Sequence, residues 1–195
     1  MPKEWEKLKF EVVELKTPPA HTGPLTQNDV LENAEILFKD EMNGPESIVI
    51  EGGMQICEGL KKSKKIFADT IYVSAINELV KIVNGKIVKK IFISTTKDCL
   101  KNPVSHCGRP LGIRRLNKDV FIFADGVKGL LTVNFETEEV KTLIHAGKKY
   151  DGRWISFADD VDVIDEDNVV FTDATWLYDE STISPSFFGA LATGR

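Results

Sequence analysis

The sequence predicts an all-β protein, and two observations favour a β-propeller among the all-β folds. The first is a group of four short predicted strands between residues 110 and 144, separated by turn-forming Gly, Asn, Lys and Asp. Four strands within about 40 residues match the size of one propeller blade. The second observation is that this pattern recurs along the chain.

The recurring pattern is a polar turn residue, a run of β-branched and aromatic residues, and then a small or acidic residue. Val120 lies 49 positions after Ile71, and Val169 lies 49 positions after Val120. A period near 50 residues is typical of propellers, whereas an antiparallel sandwich, with a strand at about every 8–12 residues, is the alternative that spacing leaves open. The three copies are DTIYVSA at 69–75, DVFIFAD at 119–125 and NVVFTDA at 168–174.

Each copy is preceded by a predicted leading strand. Asp159 lies 48 positions after Leu111, but Leu111 lies 65 positions after Glu46. The first repeat is therefore longer than the other two, and residues 54–67 are the predicted insertion. The three leading strands are predicted at 45–50, 110–115 and 158–163.

The repeats occupy residues 41–195, and residues 1–40 form a lead segment that we predict to be partly irregular. Within it, residues 17–24 are rich in proline, and a short strand is predicted at 34–38. We assign no function to this segment.

Composition and charge narrow the classes of function. The chain has 195 residues and a formal net charge of −5, which argues against a nucleic-acid partner. There is no apolar run of 18 residues, and residues 1–10 are mostly charged rather than signal-like. Membrane association is therefore expected only through a segment that this sequence does not contain.

Five phrases, in one order and at compatible spacing, resemble the strictosidine synthase-like family, in its branch of adipocyte plasma membrane-associated type. More distant similarity connects this family to paraoxonases and senescence-marker gluconolactonases. The resemblance covers residues 44–195 and implies a six-bladed propeller with a central site. The phrases are GPES at 44–47, CGRPLGIR at 107–114, ADGVKGLLTVN at 124–134, SFADDVDV at 156–163 and VVFTDAT at 169–175.

The number of repeats bears on how much of such a propeller is present. Six blades of about 48 residues need more than 300 residues, whereas this sequence contains two complete units and part of a third. We therefore expect an N-terminal fragment of the propeller that is inactive by itself.

The resemblance also implies a disulfide between Cys99 and Cys107, because relatives have a cysteine at both positions. Such a bond would place the protein in an oxidising compartment such as the ER lumen or the cell surface. Two reduced cysteines in a cytosolic protein remain the alternative. Cys57, the third cysteine, is expected to be an unpaired thiol.

Carboxylates on the leading strands are the candidate metal ligands. The first strand of each propeller blade lines the central channel, and Glu46, Leu111 and Asp159 occupy equivalent positions. Converging oxygens suit Ca²⁺, which takes about 6–8 oxygen ligands. The resemblance matches Glu46 to the glutamate that holds calcium in hydrolytic relatives, and Asp159 to a position where they have asparagine. The alternative is that Glu46 is a turn residue and Asp159 an ordinary strand-end acid.

Asp125 and Asp173 end two of the repeated phrases. We predict a structural role for both, in which each carboxylate accepts backbone N–H groups at a strand end.

Two classes of function follow from the resemblance. One is a calcium-dependent hydrolase of arylesterase or lactonase type, which acts on a small-molecule ester or lactone; its catalytic residues are not assigned. The other is a non-catalytic interaction propeller of the secretory pathway or membrane. The amine–aldehyde condensation of strictosidine synthase gains no support, because its glutamate lies beyond the region that this sequence matches.

Overall fold

The computed structural model describes residues 14–52, 70–96, 98–99, 106–180 and 182–183. Within these ranges the protein is all-β, with twelve strands and one short 3-10 turn at Gly23–Leu25. The same ranges contain no helix that is long and apolar enough to cross a membrane. The chain divides into two compact units, Met1–Glu41 and Met42–Arg195.

The first unit contains coil and turns where it is described. The strand predicted at residues 34–38 is wrong, because this segment enters a turn in which the amide of Glu41 donates to the carbonyl of Phe38 at 3.0 Å. Phe38 and Asp40 have φ values of 56° and 65°, in the left-handed region that an extended strand does not use. Ile36, in the middle of this segment, is 75% exposed and packs in no core.

The first blade of the second unit is a four-stranded antiparallel sheet whose strands pair in chain order. Its leading strand begins at residue 48 rather than 45, and the predicted insertion at 54–67 lies outside the described residues. The turn between its last two strands is Asn84–Gly85, with φ values of 49° and 72°, as a tight hairpin turn requires. The strands are β1 (Ile48–Glu51), β2 (Thr70–Ala75), β3 (Glu78–Val83) and β4 (Lys86–Phe92).

The second blade repeats this arrangement, and its four strands span residues 110–145, where four strands were predicted between residues 110 and 144. Its four strands again pair in chain order. They are β5 (Pro110–Arg115), β6 (Val120–Asp125), β7 (Gly129–Asn134) and β8 (Val140–His145).

Beyond the second blade lie two two-stranded sheets. A small hairpin, β9 (Lys148–Tyr150) and β10 (Arg153–Ile155), was not predicted. The incomplete third blade consists, within the described residues, of β11 (Ala158–Val163) paired with β12 (Val169–Asp173). Two four-stranded units followed by part of a third confirm the prediction of an all-β fold of propeller type.

The first core lies between the first and second blades. Side chains alternate across β6, so that Phe121 and Phe123 face the first blade. Phe121 lies 4.2 Å from Tyr72 and 5.3 Å from Phe135, measured between ring centroids. Offset and edge-on aromatic pairs at such distances add stability beyond that of burial alone.

The opposite face of the middle sheet forms the second core. Ile122 and Leu130 point away from the first blade and pack against Val161 of β11. Because both faces of the middle sheet are covered, its central strands are continuous apolar runs rather than alternating ones.

Cys99 and Cys107 form a disulfide, as the resemblance implied. The S–S distance is 2.09 Å and the Cα atoms lie 5.9 Å apart. The bond connects the chain leaving the first blade with the chain entering the second. Cys57 lies outside the described residues.

Candidate functional site

The candidate site begins at a backbone irregularity in β11. The ladder pairs Ala158 with Asp173 and resumes only at Val161, so Asp159 and Asp160 lie in a bulge. Bulges re-aim side chains next to functional sites, and this one takes Asp159 out of the regular alternation.

The second blade has the same irregularity at the equivalent place. In β5 the ladder pairs Pro110 with Asp125 and resumes at Ile113. Leu111 and Asp159 therefore occupy equivalent bulge positions, as their 48-residue separation predicted.

Glu46 is held at the start of the first blade, two residues before β1. Its amide donates to the carbonyl of Ser74 at 3.0 Å, which extends the pairing of β1 with β2. The buried hydroxyl of Ser74 in turn donates to the carbonyl of Leu111. The segment that carries Glu46 is therefore tied to the leading strand of the next blade.

The structure brings Glu46 and Asp159 within electrostatic reach although 113 positions separate them. Glu46 is an exposed residue, yet partial burial of its carboxyl group raises its pKa above 4.5, and the charges of Asp159 and then Asp160 raise it further. Burial also raises the pKa of Asp159 above 3.8, followed by the charge of Asp160. Carboxylates in such an environment favour a proton or a cation.

Arg109 is the cation that lies among these acids. Its Nη1 donates to the carbonyl of Gly44 at 3.5 Å, and its Nε lies 3.6 Å from Oε1 of Glu180. The positive charge lowers the pKa of Glu46 and of Asp159, although burial outweighs it in both.

Glu180 is a third carboxylate of this cluster. Burial raises its pKa above 4.5; Arg109 opposes the rise, and Asp125, Asp179 and Asp159 add to it. Glu180 was not predicted from the sequence, because it follows β12 and lies outside every repeated phrase. Arg109 lies inside the phrase CGRPLGIR, which indicated the family but gave this arginine no role.

Asp160 forms an ion pair with a different arginine, Arg114. Its Oδ2 lies 3.4 Å from Nη2 of Arg114, whose Nε also lies 3.8 Å from Oδ1 of Asp162. Among the described residues, Glu46 and Asp159 form no such ion pair. Of the carboxylates in this cluster, Glu46 and Asp159 are therefore the two that remain available to bind a cation.

The carboxylate oxygens of Glu46 and Asp159 are suitable ligands for calcium, but two side chains supply few of the ligands that the ion needs. Carboxylate oxygens are typical Ca²⁺ ligands, and a full shell needs about 6–8 oxygens. In the part of the chain that the structure describes, no group of three or more His, Cys, Asp or Glu side chains is arranged to hold a metal ion. Glu46 and Asp159 can supply only part of a shell.

Comparison with known proteins identifies relatives over nearly the whole chain. No family model matches the sequence. The adipocyte plasma membrane-associated protein of Salmo salar is 32% identical over 95% of this chain and 41% of its own length. The human protein of the same name is 34% identical over 82% of this chain and 35% of its own length.

A plant protein shows the same relationship. Strictosidine synthase-like 3 of Arabidopsis thaliana is 30% identical over 85% of this chain and 42% of its own length. The chain thus spans about two fifths of the length of the curated relatives that it matches. The names of these animal and plant relatives agree with the family that the five sequence phrases resemble, the strictosidine synthase-like family with its adipocyte plasma membrane-associated branch.

Proposed function

We propose that Glu46 and Asp159 contribute two ligands to a calcium ion at the mouth of the propeller channel, and that the whole protein hydrolyses a small-molecule ester or lactone. The single observation that carries this proposal is that two carboxylates from the first and third blades lie within electrostatic reach of each other. The pKa of each is raised, and neither has an ion-pair partner among the described residues.

In the proposed reaction, the bound cation and the residues of the chain have different roles. Bound calcium would supply a Lewis acid for the acyl oxygen. Glu46 and Asp159 hold and orient the cation, and Arg109 adds positive charge beside the place where negative charge develops on the substrate. In the hydrolysis, a water oxygen bonds to the acyl carbon, the ester C–O bond breaks, and a proton from water passes to the departing alcohol oxygen.

The cellular location that we propose rests on the same relatives and on the disulfide. The name of the animal relatives associates them with the adipocyte plasma membrane. That name, together with the Cys99–Cys107 disulfide, supports a place in the secretory pathway or at the membrane surface.

Calcium titration by calorimetry tests the metal ligands directly on this chain. We expect a Kd on the order of 10⁻³ M, typical of sites with few charged ligands, and about tenfold weaker binding in Glu46→Gln. Glu139→Gln is the matched control, because Glu139 is exposed and pairs only with Lys141 at 2.9 Å in the described structure. In the full-length protein, calcium-dependent ester turnover should fall with calcium affinity in Glu46→Gln and stay unchanged in the control.

The pH dependence of stability gives a second readout without calcium. Because the pKa of Glu46 is raised on folding, its contribution favours the folded state below pH 4.5 and is lost as pH rises through the raised value. Glu46→Gln should therefore have a higher Tm than the parent at pH 7, with a difference that shrinks towards pH 4.5. At the same concentration, added calcium should raise the Tm of the parent more than that of Glu46→Gln.

The interaction propeller is the second candidate, and Arg109 favours it. This arginine already places a positive charge among three carboxylates, Glu46, Asp159 and Glu180. Unchanged calcium affinity in Glu46→Gln would overturn the hydrolase proposal and favour a binding role.

A further inference from the structure

The ion pair between Arg109 and Glu180 connects the start of the second blade with the chain that follows β12. Nε of Arg109 lies 3.6 Å from Oε1 of Glu180, and the two side chains are only 25% and 20% exposed. Salt and water screen a partly buried pair less than they screen a pair on the open surface. The contact therefore favours one position of the guanidinium group.

A second contact holds the guanidinium group beside the first blade. Nη1 of Arg109 donates to the carbonyl of Gly44 at 3.5 Å, two residues before Glu46. The positive charge of Arg109 lowers the pKa of Glu46 and of Asp159, but among the described residues Arg109 forms an ion pair with neither of them. Arg109 thus lies within electrostatic reach of both proposed ligands while it is bound to a different carboxylate.

Arg109 is a potential competitor of calcium for Glu46 and Asp159. A guanidinium group binds carboxylates through paired, charge-assisted hydrogen bonds, and the stem that carries it is flexible. An arginine that turned onto Glu46 or Asp159 would neutralise a charge that calcium needs, because calcium affinity depends on the number of charged ligands. Calcium affinity should therefore depend on where Arg109 is held.

We propose that Glu180 is a positioning residue that keeps Arg109 off Glu46 and Asp159, and so leaves both carboxylates available to calcium. This inference rests on the proposed function and deepens it by naming a residue that sets the affinity of the same site. Glu180 acts through Arg109 and is not itself a metal ligand. Its loss should therefore weaken calcium binding mainly where Arg109 is present.

A double-mutant cycle separates this role from a simple loss of negative charge. Calcium is titrated at constant ionic strength and followed by NMR through the backbone amide of Glu46, in the parent, Glu180→Gln, Arg109→Gln and the double variant. Glu180→Gln should weaken calcium binding roughly fivefold, because a guanidinium then competes for the ligands. In the Arg109→Gln background the same change should alter the Kd by no more than about twofold.

A second readout follows the guanidinium group without calcium. The Nε–Hε signal of Arg109 is identified by its loss in Arg109→Gln. In the parent, the combined change Glu46→Gln/Asp159→Asn should leave this signal nearly unchanged, since Glu180 is the carboxylate that pairs with Arg109. In Glu180→Gln the combined change should move the signal, because the guanidinium has then lost the carboxylates to which it turned.

Glu136→Gln is the matched control for the loss of a carboxylate from an ion pair. Glu136 lies 2.7 Å from Nζ of Lys81, whose side chain is 19% exposed and thus about as buried as that of Arg109. Glu136 is not among the groups whose charge shifts the pKa of Glu46 or Asp159. Glu136→Gln should leave both the calcium Kd and the Arg109 signal unchanged.

The outcomes distinguish this inference from the proposed function. Equal weakening by Glu180→Gln with and without Arg109 would overturn the positioning role and leave the proposed calcium site intact. The positioning role would also be overturned by an Arg109 signal in Glu180→Gln that does not respond to the removal of the other two carboxylates. A parent protein that binds no calcium would overturn the proposed function and this inference together.

Discussion

At the scale of single residues, aspartates of similar sequence context have different roles. Asp125 is fully buried, and its Oδ1 accepts from the amides of Val127 and Lys128, both at 2.9 Å. Asp173 does the same for the amides of Ser156 and Phe157. The structural role predicted for both strand-end acids is confirmed, whereas Asp159 is turned away from its strand by a bulge.

Removal of the buried acceptor should be costly. Asp125→Ala leaves two amides without their acceptor inside the protein, so we expect the free energy of unfolding to fall by about 2–4 kcal/mol. Asp125→Asn keeps an oxygen at that place and should cost less, since burial already raises the pKa of Asp125 and disfavours its charge. Urea denaturation measures both.

Asp165 provides the control for this prediction. Its Oδ1 accepts from the amides of Asp167 and Asn168 in the same manner, but the turn is exposed. Water can replace the lost acceptor there, so Asp165→Ala should cost about 1 kcal/mol or less. Equal losses in Asp125→Ala and Asp165→Ala would show that burial of the acceptor does not matter.

The site could be predicted from the sequence only as far as the repeat reaches. Glu46 and Asp159 were predicted as metal ligands because equivalent positions in the blades of a propeller face one axis, and their role as ligands stays a prediction. Glu180 meets Arg109 through the path of the chain after β12, which no periodicity describes. Side chains around Asn77 and Phe92 also form a cavity, and the sequence pattern could not predict it because it depends on how these side chains pack.

At the scale of elements, the leading strands of the second and third blades approach unusually closely. A Cβ on Gly112 of β5 would lie 2.0 Å from Oδ1 and 2.7 Å from Cα of Asp160 in β11. Only glycine fits this contact without backbone movement. Gly112 therefore sets the distance between two strands that flank the candidate site.

Gly112→Ala should consequently destabilise the protein by more than about 2 kcal/mol, because backbone must move apart. It should also weaken calcium binding if Asp159 shifts with β11. Gly147→Ala is the comparison, since a Cβ there meets nothing within 4 Å. Its φ of 71° still imposes a cost of about 1–2 kcal/mol. A Gly112→Ala variant no less stable than Gly147→Ala would contradict the close approach.

Strand prediction succeeded where a strand belongs to the recurring phrases and failed for strands outside them. The hairpin of β9 and β10 was missed because its strands are three residues long and rich in charge. Its turn, Asp151–Gly152, has φ values of 49° and 76° and is a recognisable hairpin sequence. The Asp151–Gly152 dipeptide is therefore the feature of the sequence that could have indicated this hairpin.

At the scale of the whole molecule, the Cys99–Cys107 disulfide joins the first two blades. The two cysteines are separated by 8 positions, and closure of so short a loop contributes about 2–3 kcal/mol in the chain-entropy model. Reduction, or the double variant Cys99→Ser/Cys107→Ser, should lower the free energy of unfolding by that amount. Alkylation without reduction should label one thiol per chain, and Cys57→Ser should abolish that labelling. Labelling of three thiols in protein from an oxidising compartment would contradict the pairing.

The chain-order pairing of strands also bears on how a nascent chain acquires this structure. In every sheet that the structure describes, each strand bonds to the strand next to it in sequence. Contacts of low contact order form rapidly, so a blade can assemble soon after its last strand leaves the ribosome. The first blade also makes hydrogen bonds to a later part of the chain; Asn77, for example, bonds to Gly108, which is synthesised after β4. Its β2–β3 turn therefore gains its final hydrogen bonds only when the start of the second blade has emerged.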